Sequence, residues 1–447
     1  MSFVHIKTYG CSFNQLDSQI MAGKLAARGF QIIDDDKGAD LILINSCTVK
    51  NLSESKFFGD VRRYKEEGKK LLLCGCITQA EENYLQNELK DISVVGVNDL
   101  DKVAFIAEQT LKGNPIQFIS KLGRKKENEE QRFEKESLRL SSPKIRTSSL
   151  IEIIPINEGC LNTCSFCKTK QARGQLFSYS SLAIKAAVQR ALESGAKEIY
   201  LTSQDTACYG FDIQTSLPSL LKEILTLEGD FRLRIGMGNP NHFKKIIGDI
   251  LSIMETDDRV YRFLHVPLQA GSDRILDEMR RMYKRRDFEE IVFKAKLRLP
   301  DITFANDIIV AYPTETEEEF LQTLAALSKV RTNVLNYSRF WLRPGTPAQS
   351  MYKGADFVDG AESKRRSKMI REHFERIGLE NNKKWVGWEG EVLISEKGKE
   401  GTNTFVGRNL YYKPIILSSE KNVELGQKRK VRIVDASWMD FRGVVLE

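Results

Sequence analysis

The residues best placed to do chemistry are three cysteines in the run Asn157-Glu158-Gly159-Cys160-Leu161-Asn162-Thr163-Cys164-Ser165-Phe166-Cys167. A Cx3CxxC spacing puts three thiolates on one tight loop. There they can bind three corners of a cuboidal 4Fe–4S cluster and leave one iron without a protein ligand. An open iron can chelate a small molecule and pass it an electron. The cluster then supplies the hard chemistry, and the chain supplies orientation and burial. The competing reading is a structural zinc, but zinc wants four closed ligands and no fourth is evident nearby.

Three more cysteines form a second pattern. Cys11, Cys47 and Cys76 each fall just beyond a predicted strand, separated by 36 and 29 residues, each about one βα unit. In a parallel sheet the carboxyl ends of the strands share one edge, so these three thiolates can meet and hold a second cluster. Taken singly, a cysteine near a strand is usually a small buried hydrophobe. Cys74, inside its strand, and Cys208 are assigned to packing on that ground.

The elements that must position these cysteines can be read from hydrophobic periodicity. Residues 1–112 alternate strands (Val4–Thr8, Leu41–Asn45, Lys70–Cys74, Ser93–Val97) with helical patterns (Ser18–Arg28, Ser53–Glu67, Gln79–Leu89), which predicts βαβ units and a parallel sheet. Residues 113–146 are charged and poor in core residues, which predicts a linker or crossing segment. Residues 147–380 alternate again. The strands Leu150–Pro155, Glu198–Thr202, Arg232–Gly236, Phe263–Pro267, Phe304–Ile309 and Val334–Phe340 predict a partial (β/α) barrel with its chemistry at the C-terminal strand ends. Residues 381–447 carry short alternating strands with turn residues between them, a small all-β barrel. The fold class is therefore α/β with an all-β C-terminal domain.

Composition is that of a globular chain, 41% hydrophobic and 29% charged over 447 residues. No apolar run approaches the roughly 20 residues of a membrane span, and the first residues lack a signal-peptide pattern. A cytoplasmic location and no membrane partner are expected. In such a compartment eight cysteines point to ligation rather than disulfides. The net charge of +7 permits a polyanionic partner without requiring one. The densest basic run, Arg280-Arg281-Met282-Tyr283-Lys284-Arg285-Arg286, reads equally well as a solvated face or a phosphate contact.

The loop of Gly159 to Cys167 matches the radical S-adenosylmethionine (SAM) superfamily signature. With it, Tyr9-Gly10-Cys11-Ser12-Phe13-Asn14-Gln15, Asn45-Ser46-Cys47-Thr48-Val49, Gly75-Cys76-Ile77-Thr78-Gln79 and His265-Val266-Pro267-Leu268-Gln269-Ala270-Gly271-Ser272-Asp273 resemble the methylthiotransferases of that superfamily over nearly the whole chain. The last 60 residues or so resemble their RNA-binding TRAM barrel. Leu201-Thr202-Ser203-Gln204-Asp205-Thr206-Ala207-Cys208-Tyr209-Gly210 and Arg343-Pro344-Gly345-Thr346-Pro347 are similar to the archaeal and eukaryotic branch, which modifies N6-threonylcarbamoyladenosine in tRNA. The chain lacks the hydrophobic tail of the eukaryotic members, so the archaeal type is the expected match.

The resemblance implies two 4Fe–4S clusters and SAM. One SAM would methylate sulfur at the auxiliary cluster of Cys11, Cys47 and Cys76. A second, at Cys160, Cys164 and Cys167, would give the 5′-deoxyadenosyl radical that takes hydrogen from C2 of the adenine. It also implies tRNA, an external electron donor and a sulfur source as partners. Ser203, Asp205, Arg234, Gln269 and Asp307 are the expected SAM contacts at strand ends. Related enzymes act instead on isopentenyladenosine in tRNA or on a ribosomal protein, and a non-catalytic Fe–S RNA-binding protein is the remaining alternative. Three departures from the pattern stand out. Asn162 replaces a usual glycine and Gly238 a usual methionine. Ala311-Tyr312-Pro313-Thr314 replaces a segment with two glycines, which predicts a displaced loop beside SAM. In the C-terminal region Trp388, Phe405, Tyr411, Tyr412 and Trp438 alternate with Arg408, Lys413 and Lys428-Arg429-Lys430, a mixture able to stack bases and hold phosphates.

Overall fold

The computed structural model describes residues 1–48, 51–80, 89–120, 128–418 and 423–446, with only the backbone of 51–53. Most of the helix expected over Gln79–Leu89 and the charged run Gly123–Glu127 lie outside the described residues.

The N-terminal region is one parallel sheet of six strands in the order β2-β1-β3-β4-β5-β6. They are β1 (Phe3–Thr8), β2 (Gln31–Ile33), β3 (Leu41–Ser46), β4 (Lys70–Gly75), β5 (Ser93–Val95) and β6 (Gln117–Phe118). β3 and β4 are buried on both faces, as parallel strands covered by helices must be. The helix Ser12–Ala27 covers one face, and Leu16, Ile20 and Leu25 lie with Val4, Leu41, Leu43 and Leu72 in one core. The helix Asn51–Glu66 covers the other, with Phe57, Val61 and Tyr64 against Ile42, Ile44, Leu71 and Leu73.

The charged stretch after residue 112 is more than a tether. Its Gln117–Phe118 adds the edge strand β6 to the first sheet. It then forms the helix Glu129–Glu136 and a wide helical turn over Ser137–Ser141, where Arg139 and Leu140 are buried. Low hydrophobicity hid this, because what the segment buries is ionic.

The second α/β region has six parallel strands in two groups. β7 (Ile151–Pro155), β10 (Glu198–Thr202) and β11 (Arg232–Ile235) form one, in the order β11-β10-β7. β12 (Phe263–His265), β13 (Thr303–Val310) and β14 (Val334–Arg339) form the other, in that order. A single bridge, Leu233 to Val260, joins them into an incomplete barrel. A short ribbon, β8 (Asn157–Glu158) with β9 (Phe177–Ser178), brackets the three-cysteine loop. Alternation along β10 sets the two faces: Ile199 and Leu201 join the core under the helices, while Glu198 and Tyr200 face the lumen. Outer helices present apolar stripes to that core, such as Ile184, Ala187, Val188 and Ala191 of Ser181–Glu193. Each fully buried aliphatic side chain contributes about 1.5–3 kcal/mol.

The C-terminal strands β15 (Glu389–Lys397), β16 (Thr404–Arg408), β17 (Pro414–Ser418), β18 (Lys428–Ala436) and β19 (Phe441–Val445) close into a barrel, order β15-β16-β17-β19-β18. It docks on the N-terminal ends of the large barrel's strands. Arg262 N–H donates to the Leu410 carbonyl at 2.9 Å, and Thr303 Oγ1 to the Tyr411 carbonyl at 2.7 Å. Tyr412, held at φ +59°, pushes its ring into the lumen, 4.9 Å from that of Tyr261 and 4.8 Å from that of Phe263. Trp388 and Tyr411 both pack on Trp385, and Trp438 packs on Phe374. Most aromatics expected to stack bases are therefore spent on packing.

Candidate active site

The three-cysteine loop leaves β8 through a backbone that only glycine tolerates. Gly159 has φ +73°, and a Cβ there would lie 1.8 Å from the Gln175 carbonyl oxygen. The Gln204 side chain accepts from Gly159 N–H at 2.8 Å, and Cys160 N–H donates to the Gly174 carbonyl at 3.3 Å. The far side is pinned by Ser165, whose N–H donates to Met279 and whose hydroxyl meets Tyr312 Oη at 2.7 Å. Cys164 is buried, and Cys160 and Cys167 are half-buried.

Cys11, Cys47 and Cys76 stand at the carboxyl ends of β1, β3 and β4, on one edge. Gly10 (φ +111°) lets the β1 and β3 exits close up, since a Cβ there would fall 2.8 Å from Cys47 Sγ. Asn14 ties the group together. Its Nδ2 donates to the carbonyls of Tyr9 (2.9 Å) and Ser46 (2.7 Å), and its Oδ1 faces Cys76 Sγ at 3.7 Å. Cys11 is exposed, while Cys47 and Cys76 are buried.

Neither triplet is drawn together tightly enough for a single metal. Among the described residues, the one group of three His, Cys or acidic ligand atoms within 4.8 Å of one another is Asp205, Cys208 and His242; neither cysteine triplet is that tight. Zinc bound at about 2.3 Å to each sulfur would need sulfurs under about 4 Å apart. Burial pushes the Cys160 thiol up to about 12 and raises those of Cys164 and Cys76. Such thiols are poor nucleophiles at neutral pH, and a metal that binds them displaces the proton.

The two sites are neighbours. Ser12 Oγ, next to Cys11, bonds Thr202 Oγ1 at the end of β10 (2.8 Å). Arg173, closing the helix that follows Cys167, crosses over to donate to Asn14 Oδ1 (2.9 Å) and Asp17 Oδ2 (2.6 Å). Around them lies a buried ionic set: Asp17 also takes Arg139, and Glu158 takes Arg139 Nε at 3.5 Å and Lys135 at 2.7 Å. Burial opposes the Glu158 charge, but Lys135 and Arg139 outweigh it and hold the carboxyl down to about 2.

The five residues expected to touch SAM divide. Ser203, Gln269 and Asp307 lie at the mouth of the barrel. Asp307 Oδ2 meets His265 Nε2 at 3.0 Å and its Oδ1 accepts from Asn336 (2.9 Å). Gln269 is left-handed (φ +71°) with its backbone paired to Asp307 and Ile309. Asp205 is elsewhere: fully buried, its carboxylate accepts from Ala207 N–H, Asn239 N–H, Asn239 Nδ2 and His242 Nδ1 at 2.7–3.2 Å, which leaves no oxygen for a ligand. Arg234 lies inside the lumen with its guanidinium 5.0–5.2 Å from the Tyr200, Phe263 and Tyr412 rings, walled in from below by the C-terminal barrel.

In the basic run 280–286 three of the cations are paired with acids. Lys284 pairs with Asp277, Arg285 with Glu289 and Arg286 with Glu290. Arg281 turns inward, 8% exposed, and donates to Cys164 Sγ at 3.1 Å. Sequence reasoning missed Arg281, Arg173 and Asn14; Asn14 and Arg173 each lie within a few residues of a triplet cysteine, which was the one signal available. Ala311 and Thr314 stand in left-handed backbones at φ +58° and +65°, a conformation that strains an L side chain and not glycine. Gly238 leaves no room for a side chain, since a Cβ would sit 2.4 Å from Phe243.

Comparison with known proteins agrees with this architecture. The family described as "Uncharacterized protein family UPF0004" matches residues 3–96, and the "Radical SAM superfamily" matches 154–327. A threonylcarbamoyladenosine tRNA methylthiotransferase of Drosophila melanogaster is 39% identical over 99% of this chain and 78% of its own length. The human protein of that name is 39% identical over 93% of this chain and 69% of its own. A probable threonylcarbamoyladenosine tRNA methylthiotransferase of Pyrococcus horikoshii is 36% identical over 99% of both. The radical SAM methyltransferase TsrM of Kitasatospora setae shares the fold, with a TM-score of 0.53 at 15% identity over 78% of this chain and 74% of that one.

Proposed function

Because the chain belongs to the threonylcarbamoyladenosine tRNA methylthiotransferase family, we propose that it places a methylthio group on C2 of N6-threonylcarbamoyladenosine beside the tRNA anticodon. The observation that carries this reading is the meeting of two cysteine triplets at adjoining sheet edges, bridged by Ser12–Thr202 and by Arg173. The radical cluster belongs to Cys160, Cys164 and Cys167, and the auxiliary cluster to Cys11, Cys47 and Cys76. When bound, the clusters and SAM supply a carbon-centred radical and a methylated sulfur, which an unactivated aromatic C–H requires because it has no acid–base route at neutral pH.

The chain's own contribution is placement and exclusion. Gly159 and Gln204 fix the take-off of the radical loop, and Ser165 with Tyr312 fixes its far side. Ser203, Gln269 and the Asp307 carboxylate face SAM from the barrel mouth. Tyr412, Tyr261 and Phe263 fill the lumen below and keep bulk water from entering beneath the reacting atoms. tRNA is the macromolecular partner; an electron donor and a sulfur source come from outside, and the compartment is the cytoplasm. No helix among the described residues is long and apolar enough to cross a membrane.

The test is mass spectrometry of tRNA nucleosides from cells with and without this chain. A methylthio mass gain on threonylcarbamoyladenosine, present only with the chain, is expected. A gain on isopentenyladenosine, on a ribosomal protein, or on nothing would overturn the reading.

A further inference from the structure

Each cysteine triplet has one buried arginine against it, and the proposed chemistry gives neither a role at its own cluster. Arg281 Nη1 donates to Cys164 Sγ at 3.1 Å. The rest of its guanidinium is fastened: Nε donates to Tyr283 Oη (3.1 Å) and Nη2 to Asn239 Oδ1. Tyr283 is held in turn by the carbonyls of Pro267 and Leu268, and Asn239 by the buried carboxylate of Asp205. Asp205 thus orients the group that touches the cysteine loop.

Arg173 occupies the matching place at the other triplet. It is 3% exposed, its Nη2 is engaged by Asp17 Oδ2 and by Asn14 Oδ1, and that same Asn14 oxygen faces Cys76 Sγ at 3.7 Å. Its Nη1 is buried and has no hydrogen-bond partner among the protein atoms. A buried N–H of that kind is costly unless something accepts it. The sulfur of a cluster held by Cys76 is the acceptor at hand.

We propose that Arg281 and Arg173 are positioning residues, one per cluster, each donating a charged N–H to sulfur at its own site and so raising that cluster's reduction potential. The reasoning is electrostatic. Three thiolates and a four-iron core carry net negative charge, and reduction adds one more. A fixed cation in a buried site favours the reduced form, and hydrogen bonds to cluster sulfur are among the protein's levers on potential. Purely structural arginines would leave potentials where thiolates alone set them.

The inference rests on the cluster assignment above, and its test separates the two. The reconstituted full chain is labelled with 15N-arginine, and both clusters are reduced and examined by pulsed EPR. Nitrogen coupling on both is expected; its absence overturns the inference without needing any variant to fold. Potentiometric titration follows in Arg281→Gln and Arg173→Gln. Each should lower one cluster's reduced-to-oxidised ratio at least tenfold at fixed poise, about 59 mV for one electron, and leave the other cluster in place. Unmoved potentials in loaded variants would overturn it. Wild-type chain that takes up no iron would refute the cluster assignment itself, and this inference with it.

Discussion

The Ala311 and Thr314 turn shows what single residues cost at this site. Both are held left-handed, where an L side chain loses about 1–2 kcal/mol that glycine does not. The surroundings hold them there. Ala311 N–H donates to Glu315 Oε2 and Thr314 N–H to the Asp356 carbonyl, each at 2.8 Å. Ala311→Gly and Thr314→Gly should therefore each stabilise the chain by about 1 kcal/mol, measured as a raised urea midpoint at unchanged slope; a lowered midpoint would mean the side chains earn more than the strain removes. The grouping of the cysteines into two triplets was legible because spacing and strand ends carry information along the chain. Arg281 was not, because a basic run read linearly cannot show that one member points inward while its neighbours pair within a turn of helix. The surroundings of Asp205 and Arg234 were hidden for the same reason: position at a strand end does not say which neighbours have already claimed a side chain.

At the scale of elements, the loop between β12 and the helix Asp273–Glu278 carries Gln269 and is clamped to the helix Glu317–Val330. Gly271 N–H donates to Thr323 Oγ1 at 2.8 Å, and Ser272 and Arg274 both bond Glu319. Glu319 also sits at the third position of a capping box opened by Thr316, so one carboxylate holds a helix start and a site loop together. Arg274's hydrogen bonds, against the opposing effect of burial, hold its carboxyl down to about 2. A depressed carboxyl contributes stability that is full above its unfolded pKa of about 4.3 and is lost as pH falls toward the folded value. Glu319→Gln should thus cost about 2 kcal/mol at pH 7, and its deficit against wild type should shrink steadily below pH 4.5 in urea unfolding of the cluster-free chain. A deficit independent of pH would refute the charge as its origin. Alternation of strands and helices made most elements legible to within a few residues. β2 and β6 escaped because three- and two-residue edge strands bury too little to leave a pattern.

For the whole molecule, the account is that two cluster sites on separate sheets act on one adenine. The sheets are locked by buried ions around Asp17, Arg139, Arg173 and Glu158, and the barrel is stoppered from beneath by Tyr412. None of these contacts joins neighbours in sequence, which is why the domains could be read from the chain but their mutual placement could not. The decisive measurement uses threonylcarbamoyladenosine tRNA deuterated at C2 of the modified adenine, the reconstituted chain, a reductant and SAM. The account predicts that the nucleoside gains a methylthio group and loses its deuterium, which appears in 5′-deoxyadenosine. A methylthiolated product that keeps the deuterium, or deoxyadenosine formed without any product, would contradict it.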